Sequence, residues 1–240
     1  MRKLFAILPG LAVALALTAR VEAAPTLDFV GGSFVPGTGG VVSYAGGATD
    51  LVGTNLNISE VIPTSTPSGV QQSITSGLLN FNTGAYTGSA VNGSGQTVLD
   101  FSPGGALNLT GIVPGLGIGP PAQALLFNGT FTGSTSVTIL TTGLQVVAGV
   151  NLTDINVALA TYFGLPSGTT RYDGSLTINF NTLGAVMPNT AFTSNLVTST
   201  DERVTPTPEP ASFGMACTAL VILSAAGLRK MRKVRKAECV

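Results

Sequence analysis

Leu176-Thr177-Ile178-Asn179-Phe180-Asn181 carries the fold class. Leucine, isoleucine and phenylalanine alternate there with threonine and two asparagines. Successive side chains of an extended chain point to opposite faces, so this hexapeptide is a half-buried strand. The same period of two returns in Leu79-Asn80-Phe81-Asn82 and in residues 106–110, where Leu107 and Leu109 face away from Ala106, Asn108 and Thr110. It returns again in Thr135–Leu140, where Val137 and Ile139 share a face. Ala124–Phe127, then Asn128-Gly129, then Thr130–Thr132 predicts a hairpin, because Asn-Gly supplies the positive φ angles of a type I′ turn. Asn92-Gly93 and Asp173-Gly174 are further turn candidates. Other strands are expected at Leu27–Val30, Val41–Tyr44, Leu56–Ile62, Thr97–Phe101 and Gly143–Val147. Strands at this spacing, parted by glycine-rich turns, predict a mainly β domain, an antiparallel β-sandwich or jelly roll.

One segment departs from the period of two. Ile155, Ala158, Leu159, Tyr162 and Phe163 fall on a single helical stripe. Asp154 is the expected N-cap, Gly164 the residue after the C-cap, and Pro166 the stop. The spacing predicts one short helix packed across the end of a sheet. Pro63–Gly69, Pro103 and Pro114–Pro121 are expected surface connections, and Arg203 onward a flexible linker.

Working outward, both ends of the chain have a different character. Arg2 and Lys3 precede an apolar Leu4–Leu17, and Val21-Glu22-Ala23 resembles a signal-peptidase site. Cleavage is expected after Ala23, with Ala24 as the neighbouring choice. The h-region of 14 residues is short for a membrane span. At the other end, Thr205-Pro206-Thr207-Pro208-Glu209-Pro210 is a proline-stiffened stem. The uncharged run Ala211–Leu228 follows; as a helix it would be about 27 Å long, close to a hydrocarbon core of ~30 Å. Arg229, Lys230, Arg232, Lys233, Arg235 and Lys236 then form a cationic stop that stays on the cytoplasmic side. The expected organisation is a signal peptide over 1–23, an exported β domain over 24–200 and a linker over 201–210. A transmembrane helix over 211–228 and a basic tail over 229–240 complete it.

Pro208-Glu209-Pro210, a short apolar helix and a terminal Arg/Lys cluster, together with an N-terminal export signal, resemble the PEP-CTERM sorting signal of exported bacterial proteins. The resemblance covers roughly the last 35 residues, Thr205 to Val240. It implies export by the Sec translocon and signal peptidase of a Gram-negative bacterium. It further implies recognition by an exosortase, an integral-membrane cysteine-dependent transpeptidase that cuts near Pro208-Glu209-Pro210. Family members are thought to be cell-surface, extracellular or biofilm-matrix proteins, associated with exopolysaccharide. The competing reading of the same tail is a permanent single-pass anchor.

Charge must be counted between these ends. From Ala24 to Pro208, eight acids face only Arg171 and Arg203, a net charge of −6, and no lysine lies between Lys3 and Lys230. Such a domain has no electrostatic footprint for nucleic acid. Cys217 lies in the apolar run and Cys239 beyond it, 22 residues away. A continuing helix would part them by roughly 30 Å, against a disulfide limit of about 6 Å between Cα atoms. The exported part must therefore fold without disulfides.

Most chemistry is removed by composition. Histidine is absent from the whole chain, which excludes a Ser-His-Asp triad, a Cys-His pair and histidine-bound zinc. Without a domain lysine there is no phosphate-binding P-loop, Schiff base or Ser-Lys pair. Gly115-Leu116-Gly117-Ile118-Gly119-Pro120 has glycine spacing but not a dinucleotide loop's strand-to-helix setting. Leu165-Pro166-Ser167-Gly168-Thr169 is a scrambled sortase-like motif inside the domain, expected as a loop. No catalytic residue, cofactor or metal ligand is assigned, and Asp154-Ile155-Asn156 is expected as a helix start rather than a calcium site. Asn57, Asn92, Asn108, Asn128 and Asn151 head Asn-x-Ser/Thr triplets of the kind chance produces in this composition. The reading that results is a non-enzymatic exported surface or matrix protein. Its rival is a polysaccharide-binding or polysaccharide-cleaving module. That would need exposed aromatics among Tyr44, Tyr86, Tyr162 and Tyr172, or a facing pair among Asp50, Glu60, Asp100, Asp154 and Asp173.

Overall fold

A computed structural model describes residues 26–32, 35–36, 38–63, 69–165 and 172–206. The signal segment with Ala23 and Ala24, most of the Pro63–Gly69 connection and residues 166–169 of the sortase-like stretch lie outside these. So do Pro208-Glu209-Pro210, the apolar run and the basic tail. Among the described residues no helix is long and apolar enough to cross a membrane.

The mainly β, antiparallel expectation holds: among the described residues eleven strands form one sheet, with one short α-helix beside it. In chain order the strands are β1 (Leu27–Gly31), β2 (Val41–Tyr44), β3 (Asp50–Pro63), β4 (Gln72–Val91), β5 (Thr97–Phe101) and β6 (Gly105–Ile112). They continue as β7 (Ala124–Phe131), β8 (Thr135–Leu140), β9 (Gly143–Ile155), β10 (Tyr172–Thr182) and β11 (Phe192–Pro206). The helix α1 (Val157–Tyr162) separates β9 from β10.

The pairings make the sheet close on itself. β1 and β2 both pair with β3 on one side and β11 on the other, so they form one interrupted stave. β4 holds β6 along its first half and β5 along its second, which makes β5 and β6 a second interrupted stave, broken at Ser102-Pro103-Gly104. β7 and β8 answer them as a third, between β5–β6 and β9. Eleven strands therefore build eight staves, each antiparallel to the one before and the last, β11, bonded to the first. That is a closed meander, which leaves no long free edge.

The sandwich expectation survives in the packing, since opposite walls touch: Phe29 of β1 meets Phe127 of β7, with ring centroids 4.9 Å apart and edges to faces. The jelly-roll alternative is corrected. Its crossing connections are absent among the described residues, because every stave pairs with its neighbours in sequence. Alternation reports which face a residue takes and is silent on which strand lies beside it. Closure also needs curvature, and bulges provide it. Asn55 and Ser76 take positive φ angles, 52° and 53°, where the register of β3 on β4 and of β4 on β6 slips.

Side chains sort as the period predicts. Leu176, Ile178 and Phe180 of β10 are fully or nearly fully buried, as are Leu79 and Phe81 of β4 and Leu107 and Leu109 of β6. Much of the outward set is amides and hydroxyls. Asn80, Asn108 and Asn128 are register neighbours across β4, β6 and β7. Gln145 donates to Asn179 at 3.1 Å, and Asn179 donates to Ser199 at 2.8 Å, across β9, β10 and β11.

Three local expectations are corrected. Asn128-Gly129 is not a hairpin turn but lies inside β7, and Asp173-Gly174 lies inside β10. Both glycines serve a close approach of strands. A Cβ on Gly129 would stand 2.5 Å from the Asn151 carbonyl oxygen, and one on Gly174 would stand 2.7 Å from that of Arg203. Asn92-Gly93 does turn, between β4 and β5, with the Asn92 side chain accepting from the Ser94 and Gln96 amides. The helix starts later than expected. Ile155 still belongs to β9, and Asn156, not Asp154, is the N-cap, accepting from the Ala158 amide at 3.1 Å. Gly164 follows the C-cap with φ 67°, as expected. Finally, Arg203 to Pro206 is not linker: it pairs with both β1 and β10, so the strand covers most of the segment assigned to 201–210.

The helix covers one end of the barrel. Leu159, Phe163 and Leu165 are buried there, and Tyr162 accepts from the Gln72 side chain at 3.0 Å and the Val70 amide at 3.3 Å. Leu27 and Val204 are register partners, so the described chain enters and leaves at this same end.

Candidate functional site

The five acids weighed as catalytic pairs are scattered by the strand order. Asp50 stands opposite Ala85, Glu60 opposite Val30 and Ser73, and Asp100 opposite Gly88 and Ser136. Asp154 faces Asn128, and Asp173 faces Asn151 and Thr205. No two of them are register partners. Asp100 and Asp173 each accept a hydrogen bond, from Ser136 at 3.2 Å and from Asn151 at 3.3 Å. Among the described residues no group of three or more metal-capable side chains converges.

The tyrosines form no exposed strip either. Tyr44 is buried against Tyr86, Phe101 and Phe192. Tyr172 is buried, and Tyr162 is half-buried in the helix cap. A half-open depression of about 240 Å³ lies where β7, the end of β9 and the start of α1 meet, lined by Leu125, Phe127, Asp154, Ile155, Asn156 and Val157. It holds one carboxyl and no second acid or base, which is too little for hydrolysis of a glycosidic bond.

The chemically unusual group is in the interior. Glu202 on β11 faces inward between Phe29 of β1 and Leu176 of β10, its register partners, and is 0% exposed. Neither of its carboxyl oxygens has a hydrogen-bond partner. Gly174 makes room for it, since a Cβ there would lie 2.7 Å from Oε1 and 2.8 Å from Val150. Burial pushes its pKa well above the usual carboxylate range, and the neighbouring Asp201 charge pushes it further. Two other interior hydroxyls are satisfied. Ser194 accepts from the Val42 amide, and Thr83 accepts from Leu51 and donates to Gly84. The hydroxyls of Thr135 and Thr200, both 0% exposed, join Glu202 in having no partner.

On the outer side of the same seam, Asp28 of β1 and Arg203 of β11 form a long ion pair, 3.9 Å. That is too far for a hydrogen bond. Accordingly burial and then Asp201 raise the Asp28 pKa, and the guanidinium only partly opposes them. By composition Glu202 is only one of eight acids between Ala24 and Pro208. The signal was present: Thr200, Glu202 and Val204 alternate with charged or polar residues, which places Glu202 on the inward face once Val204 is inward. Treating Arg203 onward as linker concealed it.

Where the sorting-motif residues Pro208, Glu209 and Pro210 stand is set only by chain length: they begin two residues after the last residue of β11. No protein-family model, no curated protein and no solved structure matches this chain.

Proposed function

We propose that the chain is an exported, non-enzymatic surface or extracellular-matrix protein, handled by a temporary C-terminal membrane tether. An exosortase-type transpeptidase acts at Pro208-Glu209-Pro210, and the barrel is the released cargo. The observation that carries this reading is the sequence of features in the tail: proline stem, 18-residue uncharged run Ala211–Leu228, then six cations within eight residues. A stop of this kind halts the chain in the membrane with its basic end inside.

The barrel suits such a tether. Its first strand bonds to its last, so the closed form needs residues through Val204, and β11 itself runs to Pro206. The stop follows almost at once: the four residues from Pro206 to Pro210 span at most about 14 Å. Export thus delivers a complete barrel before retention, and a cut in the stem frees it whole. Its amide- and hydroxyl-rich exterior keeps it soluble without strong charge. No nucleophile-base pair of the usual kinds can be assembled, since histidine is absent and no lysine lies in the exported part.

The test is to replace Pro208, Glu209 and Pro210 with alanine together, in a host with the export and sorting machinery, and to follow the barrel by fractionation. The expected result is a shift from medium or outer surface to the inner membrane. Unchanged release would defeat the sorting claim and leave the basic tail as an ordinary anchor.

A further inference from the structure

We propose that Glu202 makes the β1–β11 seam a pH-sensitive latch. Neutral, the carboxyl sits in the apolar interior and the seam stays shut; ionised, it gains water only when β11 parts from β1.

The geometry gives the latch its direction. Glu202 lies in the middle of the five-residue β1–β11 pairing, Leu27–Gly31 against Thr200–Val204. On the other side β11 is held by the much longer β10 register, Tyr172 to Thr182. The β1 side is therefore the shorter ladder and the easier one to open. It is also the seam whose closure turns an open sheet into a barrel. An uncompensated carboxylate in an apolar interior is strongly unfavourable, and this one has no donor on either oxygen.

Among the described residues nothing charged compensates it from within. The elements packed against it present Phe29 from β1, Gly174 and Leu176 from β10, and Val150 from β9. Tyr172 is the titratable group further along the inward face of β10. Outside the wall, Asp28 on β1, Asp173 on β10, Asp201 and Arg203 on β11 and Glu60 on β3 flank the seam. Four of these five are acids, so the field outside does not favour a second negative charge inside.

The sign follows from proton linkage. A carboxyl that holds its proton more tightly when enclosed than when exposed favours the shut state at low pH. That advantage is lost as pH rises above the exposed carboxylate range, and levels off once the enclosed form also ionises. One proton is involved, so the opening equilibrium should rise about tenfold per pH unit in that window.

The latch is independent of the sorting reading. Its test uses the full chain in nonionic detergent, with hydrogen exchange followed at the β1 amides and, as an internal reference, at β9–β10. Comparing wild type with Glu202→Gln at each pH cancels the intrinsic exchange chemistry. Wild-type β1 exchange is expected to rise relative to Glu202→Gln as pH increases, while the reference amides do not. Asp28→Asn, which removes the acid on the outer side of β1, should keep the effect. Parallel behaviour of wild type and Glu202→Gln at every pH overturns the latch. Should Glu202→Gln not fold, the wild type decides. Carbon-13 titration that finds the Glu202 carboxyl ionised in the usual carboxylate range overturns the proposal, and so does a β1 response no larger than that of β9–β10.

Discussion

Thr135 and Glu202 are both sealed in the interior without a hydrogen-bond partner, yet their removal should have different effects. The Thr135 hydroxyl is an unmet donor with no charge to change, so Thr135→Val, which keeps the shape, should stabilise the barrel by about 1 kcal/mol in urea denaturation. A loss of stability would show that the hydroxyl is bonded after all. Glu202 adds a pH term, and Asp28 adds one of the same sign, because both pKa values are raised in the folded state. Stability should therefore be greatest below the ordinary carboxylate range and fall as pH rises through it. A urea midpoint that instead climbed from about pH 5 to about pH 8 would contradict the burial of these groups. Residue-level reading succeeded where the period of two was uninterrupted, as at Leu176–Phe180. It failed at Glu202, whose inward position depends on a strand that proline and charge made resemble a linker.

At the scale of elements, α1 and β11 bear the most weight. Asn156 caps α1 through its bond to the Ala158 amide and also donates to the Leu125 carbonyl at 3.2 Å. Asn156→Ala should cost about 1 kcal/mol, with the loss of protection centred on the helix and the Val70–Gln72 segment it holds. For β11, a chain ending at Pro206 should form the barrel, whereas one ending at Thr200 should not, because it lacks the register from Asp201 to Val204 on β1. Equal folding of the two chains, by circular dichroism and cooperative melting, would contradict the extent of β11. Several strand bounds were legible: Val41–Tyr44, Thr97–Phe101 and Thr135–Leu140 fall as their patterns predict. The turns at Asn128-Gly129 and Asp173-Gly174 were not, because a glycine that admits a neighbouring backbone and one that turns the chain look alike in sequence.

For the whole molecule, closure is the governing feature. Phe29 and Phe127 join opposite walls, so Phe29→Ala should weaken the barrel by about 3–5 kcal/mol as one cooperative unit rather than loosening β1 alone. Closure was not legible, since strand order depends on pairing between segments far apart in the chain; β1 and β11 are separated by almost the whole domain. The proposed tether rests on sequence alone, because a stop signal depends on length, hydropathy and flanking charge, all local properties. The account's central claim is that the barrel is cargo and the tail a temporary handle. The most direct measurement is the intact mass, with terminal peptides, of the protein recovered from medium and envelope of its exporting host. A polypeptide that starts near Ala24 and lacks Ala211–Leu228 and the six cations after it is the predicted result. Recovery with Arg229 to Lys236 still attached would contradict it.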